Sequence, residues 1–223
     1  IYYMNFIDEN IMNQICESLD GVTTPDNQLL MSIFQQFEDL HSKLPTFCFY
    51  LLHIISSDQF PLNRRFCALI VLNRSFTQIQ TDLIPEFITI AKPLTEQIIK
   101  LPFSPFTSIS ASLLCSMAKF YGITYFPDFF EQISVLFSNS DTIEIGLECL
   151  KEMVQKDQPI PDFLLSTLPE LINSPFCHNS LDVSYELCRT NLEFLRDCII
   201  SSIFTFCSNF DEDSLAQASS ICA

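Results

Sequence analysis

PTFCFYLL, residues 45–52, runs proline, one short residue, phenylalanine and then a hydrophobic stretch. The same arrangement returns as PEFITIA (85–91), PDFFEQI (127–133) and PDFLLSTL (161–168). Proline suits the first turn of a helix, where its missing N–H would have had no partner. The acids that follow, Glu86, Asp128 and Asp162, complement the positive end of a helix dipole. From Phe47 apolar residues recur at Tyr50, Leu51, Ile54 and Ile55; from Phe87 at Ile90, Ala91, Leu94 and Ile98; from Phe129 at Ile133, Leu136 and Phe137. This i, i+3, i+4, i+7 spacing predicts helices with one buried face. In two copies a second proline stands eight residues on, Pro93 and Pro169, and predicts a kink.

Between these helices lies another set: RRFCALIVLNR (64–74), SISASLLCSMAK (108–119), TIEIGLECLKEM (142–153) and LDVSYELCRTNL (181–192). Each hangs on one small residue, Ala68, Ala111, Gly146 or Ser184, with apolar residues one turn on, a pattern for close helix approach. The small residues are 43, 35 and 38 apart and the prolines 40, 42 and 34 apart. Two independent markers share one period near forty, the signature of a HEAT-type solenoid built from two-helix repeats. The fold expected is therefore all-α, an α–α superhelix of about five to six helical hairpins. Its pairs fall at about 5–19 with 26–42, 45–57 with 61–77, 84–100 with 105–121, 126–138 with 141–156, and 160–173 with 179–191. Gly21 is the expected C-cap of the first helix, and TTPD (23–26) leads into the second. A last pair is expected from near residue 192. Its second helix, FDEDSLAQASSICA (210–223), runs to the end without a cap, which suggests a piece of a longer protein.

Composition agrees. Only three glycines occur, with no Trp, among 223 residues that are 48% hydrophobic, which disfavours a turn-rich β fold. The formal charge is −16, the wrong sign for neutralising phosphates, so direct nucleic-acid binding is not expected. Ten cysteines sit along apolar helical stretches with no C-x-x-C pair. They fit reduced, buried thiols of a cytosolic or nuclear protein. The charge-free stretch 101–118 holds two prolines and five serines, and is too short and polar to span a bilayer. The sequon Asn73-Arg74-Ser75 is then fortuitous.

No catalytic, cofactor or metal site is expected. Isolated glycines cannot write a phosphate-binding loop. Cys177-His178 places a thiol beside an imidazole, but sequence neighbours on a helix do not face each other and no third group orients them. Asp211-Glu212-Asp213 fits the start of a helix better than a metal site. One surface does ask for a partner. Glu144, Glu148, Glu152 and Gln155 share a helical face, as do Asp182, Glu186, Arg189 and Glu193. Adjacent repeats would set these rows side by side as a negative strip. Such a strip is either a solvated face or a dock for a basic segment. Arg64, Arg65 and Arg74 offset it in the second repeat.

LPTFCFYLLHIISSDQFPLNRRFCALIVLNRSF (44–76) resembles the N-terminal module of importin-β-like transport receptors, the karyopherins. Arg65 stands at the family's arginine, Ala68 to Val71 at its apolar run and Asn73 at its asparagine; Leu72 stands where the family has lysine. SPFTSISASLLCSMAKFYGITYFPDFFEQISVLFSNSDTIEIGLECLKEMVQKD (104–157) is similar to the third and fourth repeats of the transportin branch, with Phe126 for its tryptophan. The resemblance implies one HEAT solenoid over 1–223, with importin-β-like first repeats at 5–77 and further repeats over 84–223, the last truncated. It implies nuclear import, Ran-GTP on the inner second-helix surface, cargo with basic or transportin-type nuclear localisation signals, nucleoporin contacts, and residence in cytoplasm and nucleus. Asn73 and Arg74 are then the candidate Ran contacts. Glu144, Glu148, Glu152, Asp182 and Glu186 are the candidate basic-partner contacts. Other readings are an exportin, or a Ran-independent HEAT scaffold of adaptin or phosphatase-scaffold type.

Overall fold

The computed structural model describes residues 7–122, 124–172 and 176–189, without the side chains of 177–179, 188 and 189. Among the described residues every regular element is helical. They divide into two compact units, one ending at Ile98 and the other opening at Ile99. The first unit holds α1 (Glu9–Asp20), α2 (Asn27–Lys43), α3 (Phe47–Ser56), α4 (Leu62–Ser75), two short 3₁₀ turns and α5 (Ile84–Ile98). The second holds α6 (Pro105–Tyr121), α7 (Phe129–Leu136), α8 (Ile143–Gln155), α9 (Asp162–Leu165), α10 (Leu168–Ile172) and α11 (Cys177–Arg189). These bounds follow the expected pairs closely, and the third pair is shared out, α5 closing one unit and α6 opening the other. The pair expected from 192, with Glu193 and Asp211 to Asp213, lies outside the described residues.

In the first unit the ends of α1 and α2 are written into the chain. Asp8 and Asp26 each accept two backbone N–H bonds from the turn that follows, satisfying donors that a helix start leaves unpaired. Gly21 caps α1 as expected, but its φ of −86° is open to any residue. Its smallness matters because a Cβ there would lie 2.4 Å from Ile33 Cδ1 of α2. Helix α3 is buried nearly all round and packs on α4, which also meets α1 and α2. Two arginines fasten this arrangement. Arg64 of α4 donates to both carboxylate oxygens of Asp20 at 2.9 and 2.6 Å. Arg65 donates through Nε to Ile55 O and through Nη1 to Asp58, each at 2.8 Å. Two of the three charges read as offsetting the acidic strip, Arg64 and Arg65, are thus local clips.

In the second unit α8 packs on α6 on one side and on α11 on the other, with α7 against α8 and α10 against α11. Each hairpin covers its neighbour's apolar face, as a repeat array requires. The small residues stand at the contacts. Ala68, Ala111 and Ser184 are fully buried, and a Cβ on the buried Gly146 would come within 3.0 Å of the Phe137 ring.

All four prolines stand at or within two residues of the start of a first helix. The second prolines differ from each other. Pro93 stays inside α5. Pro169 belongs to a real break: instead of one helix over 160–173, α9 and α10 are separated by Ser166 and Thr167. Their hydroxyls donate to Phe163 O at 2.9 Å and Leu164 O at 2.7 Å, competing with the helical ladder just where proline removes a donor.

The core contains the expected free thiols. Cys16, Cys48, Cys67, Cys115 and Cys149 are buried and unbridged. Burial pushes Cys16, Cys48 and Cys67 above the ordinary thiol range; Cys149 is raised first by its hydrogen bond with the Cys115 thiol and then by burial. A raised pKa keeps Cys16, Cys48, Cys67 and Cys149 in the less reactive thiol form.

His41 of α2 is buried as well. Its ring lies 5.4 Å from that of Phe47, and neither ring nitrogen has a hydrogen-bond partner. Burial lowers its pKa below the usual 6.5. The unfolded chain therefore takes up the proton first, so this residue's contribution is complete above about pH 6.5 and is lost as pH falls through the lowered folded value. Thermal unfolding at pH 7.5 and pH 5 checks this: His41→Leu should lose less stability on acidification than the parent. An equal loss in both would refute it.

Candidate functional site

Helix α8 turns Ile145, Gly146, Cys149, Leu150 and Met153 inward. Its helical period of 3.6 residues therefore leaves Glu144, Glu148 and Glu152 on the opposite, half-buried side. On α11, Leu181, Val183, Ser184 and Leu187 are buried, while Asp182 and Glu186 are half-buried. Because α8 and α11 are packed neighbours, the two rows meet. Glu144, Glu148 and Asp182 line a narrow groove of about 50 Å³ together with Lys151 and Phe103. The structure thus brings three of the carboxylates of the expected strip to one groove.

It is narrower than expected. Glu152 forms an ion pair with Lys156 one turn on, and Lys156 also reaches Ser112 of α6 at 3.4 Å. Burial holds the Lys156 ammonium below its ordinary range. Glu186 is not among the groove residues. Glu148 Oε1 accepts from Ser108 of α6 at 3.2 Å, which anchors the groove's centre to the preceding repeat. Lys151 is the residue sequence reading passed over, although it stands three positions after Glu148 and its spacing was legible. Phe103 precedes α6 by loop residues, and no local pattern marks it.

Asn73 and Arg74 lie in the other unit, in the last turn of α4. Asn73 is half-buried, and Arg74 is exposed with its guanidinium carbon 4.0 Å above the Phe34 ring of α2. This cation–π placement holds the charge at the surface in a defined orientation. Leu72, in the position of the family's lysine, is fully buried. Its side chain belongs to the core, so Arg74 is the cation presented at this end of α4. Also in this unit, an apolar hollow of about 280 Å³ lies between α3 and α5, with Phe49, Leu52, His53 and Ile90 among its walls.

The side chains of Cys177 and His178 lie outside the described residues. Among the described residues no three His, Cys, Asp or Glu side chains are grouped to hold a metal, and no helix is long and apolar enough to cross a membrane.

Residues 34–86 match the family described as Importin-beta N-terminal domain. The matched segment starts within α2, contains the α3–α4 hairpin with Arg65, Leu72, Asn73 and Arg74, and ends at the start of α5. No curated protein matches the chain. Solved structures similar to it include a designed armadillo repeat protein, at 13% identity and a TM-score of 0.43, covering 93% of this chain and 98% of that one. Another is a designed armadillo repeat protein in complex with peptide (KR)4, at 12% identity and a TM-score of 0.44, with the same coverage.

Proposed function

We propose that this chain, an importin-beta-like HEAT-repeat protein with an Importin-beta N-terminal domain at residues 34–86, works as a nuclear transport receptor of importin-β or transportin type. The observation that carries this reading is the family match, which falls on the helical hairpin bearing the candidate Ran contacts. The period near forty runs through residues of both units, which supports reading 1–223 as one HEAT array with its importin-β-like repeats at 5–77 and further repeats over 84–223.

In this reading Ran-GTP meets the end of α4 through Asn73 and Arg74. Arg74 supplies the cation that the family takes from the position held here by Leu72. The acidic face of α8 and α11, with Glu144, Glu148, Glu152, Asp182 and Glu186, receives a basic segment of cargo. The receptor binds and releases by competition between Ran and cargo for different states of the array, moves between cytoplasm and nucleus, and contacts nucleoporins. It performs no chemistry of its own and needs no cofactor.

The test is retention of the whole chain on immobilised Ran loaded with GTP or GDP. The receptor reading expects retention on the GTP form at least about tenfold above the GDP form, a difference of about 1.4 kcal/mol, and a loss of that difference in Arg74→Glu. Equal retention on both forms, or none on either, overturns it. The burial of Leu72 at the lysine position favours one second reading, a HEAT scaffold that binds basic proteins without Ran. That reading expects the basic-partner contact to survive when Ran shows no preference.

A further inference from the structure

In the second unit the C-terminal ends of α6 and α8 border a hollow of about 290 Å³, walled by Lys119, Phe126, Phe129, Phe130, Asp157 and Gln158. The rings of Phe129 and Phe130 stand edge to face at 5.3 Å, and Phe126 is almost fully buried. Three aromatic side chains thus form an apolar floor.

The rim is different. After α8 the chain turns with Gln158 N–H donating to Met153 O at 2.9 Å and Asp157 N–H to Val154 O at 3.0 Å. This is a Schellman closure, and it puts Asp157 at the position usually taken by glycine. Asp157 adopts φ 50° accordingly. No cation pairs with its carboxylate among the described residues. Gln158 donates through Nε2 to Cys115 O at 2.8 Å, which fixes its amide and leaves Oε1 buried with no donor. A buried carbonyl oxygen left without a donor is costly. Helix C-termini carry partial negative charge, and the chain already sets a cation there: Lys119 Nζ donates to Lys156 O.

From these features we infer that the hollow is a subsite for an arginine side chain of a partner protein or peptide. A guanidinium is planar and stacks on aromatic faces, and it carries five N–H donors. It can meet the Asp157 carboxylate and the Gln158 oxygen together while its methylene stem covers the phenylalanines. A trimethylated lysine would suit the rings but brings no N–H donor for Gln158. A lone ammonium is more strongly hydrated and does not stack. The subsite is separate from the Glu144–Asp182 groove and does not depend on the Ran or cargo reading.

The test titrates the isotope-labelled full chain with a blocked Gly-Gly-Arg-Gly-Gly peptide and with the same peptide carrying citrulline, lysine or trimethyl-lysine. It follows the Gln158 side-chain amide and the Asp157 backbone amide by NMR. The arginine peptide should shift both signals and bind at least fivefold more tightly than each of the others. Asp157→Asn should weaken arginine binding at least fivefold. Asp157→Gly should weaken it equally while raising Tm, since glycine takes a positive φ without strain, so that lost binding is separated from lost folding. Equal binding of citrulline, lysine or trimethyl-lysine overturns the assignment. So does unchanged affinity in Asp157→Asn, or shifts confined to the Glu144–Asp182 groove.

Discussion

Phe47→Ala should cost about 3–5 kcal/mol of stability, the range for deleting a fully buried aromatic side chain, whereas Phe163→Ala should stay within about 0.5 kcal/mol of the parent, as for an ordinary surface change. Both residues hold the same place in the proline-phenylalanine motif. Phe47 is 0% exposed, with ring contacts to Phe37 at 6.0 Å and His41 at 5.4 Å, while Phe163 is 50% exposed. The difference comes from where each helix starts. In the first and third copies the first turn closes on the residue after the proline: Phe49 N–H donates to Thr46 O and Gln132 N–H to Asp128 O. In the fourth it closes on the proline itself, with Leu164 N–H donating to Pro161 O. The fourth helix therefore begins one residue early, and its phenylalanine is the second residue, about 100° on from the first, where Phe47 and Phe129 are themselves the first. Leu164 and Leu165 take the core instead. In the second copy Phe87 is the fourth residue of α5, about 300° around from the first, which returns it to the buried side. Urea unfolding of the variants measures the contrast. Comparable losses in Phe47→Ala and Phe163→Ala would show that this phase argument is wrong.

The second large effect is on binding. Reversing Glu144, Glu148 and Asp182 together to lysine should weaken a short oligolysine peptide at least about tenfold, or 1.4 kcal/mol, with helicity unchanged. These three carboxylates share one groove, so a basic chain laid in it meets all three at short range, and removing them also adds repulsion. The affinity of the parent should fall as salt rises, because exposed charge pairs are screened over about 10 Å at 0.1 M ionic strength. Glu186→Lys alone, outside the groove, should have a smaller effect than any single reversal within it. Glu152→Lys should act differently again, through loss of its pair with Lys156. Isothermal titration across this set reads the order. If the triple variant keeps the parent's affinity, the acidic face is only solvated surface.

The placement of the groove residues was partly legible beforehand. Glu144 and Glu148 are one helical turn apart, and any helix through 142–153 brings them together. That Asp182 joins them needed only the repeat period, which makes α8 and α11 neighbours. The retreat of Glu152 toward Lys156 and the entry of Phe103 from a loop needed coordinates. So did the use of Arg64 and Arg65 as clips to Asp20, Asp58 and Ile55 O. An arginine's spacing along a helix does not say whether it faces solvent or the end of another helix.

Proline positions, aspartate caps, the 3.6-residue apolar stripes and the buried small residues are settled within about four positions along the chain. The amino-acid sequence alone was therefore enough for an all-α chain of hairpins with a period near forty. Whether Phe163 points inward, why Gly21 must be small against Ile33, and which carboxylates share a groove depend on the rotation and pairing of helices far apart in the chain. Those choices are made by side chains competing for the same buried space, and only the tertiary packing decides them.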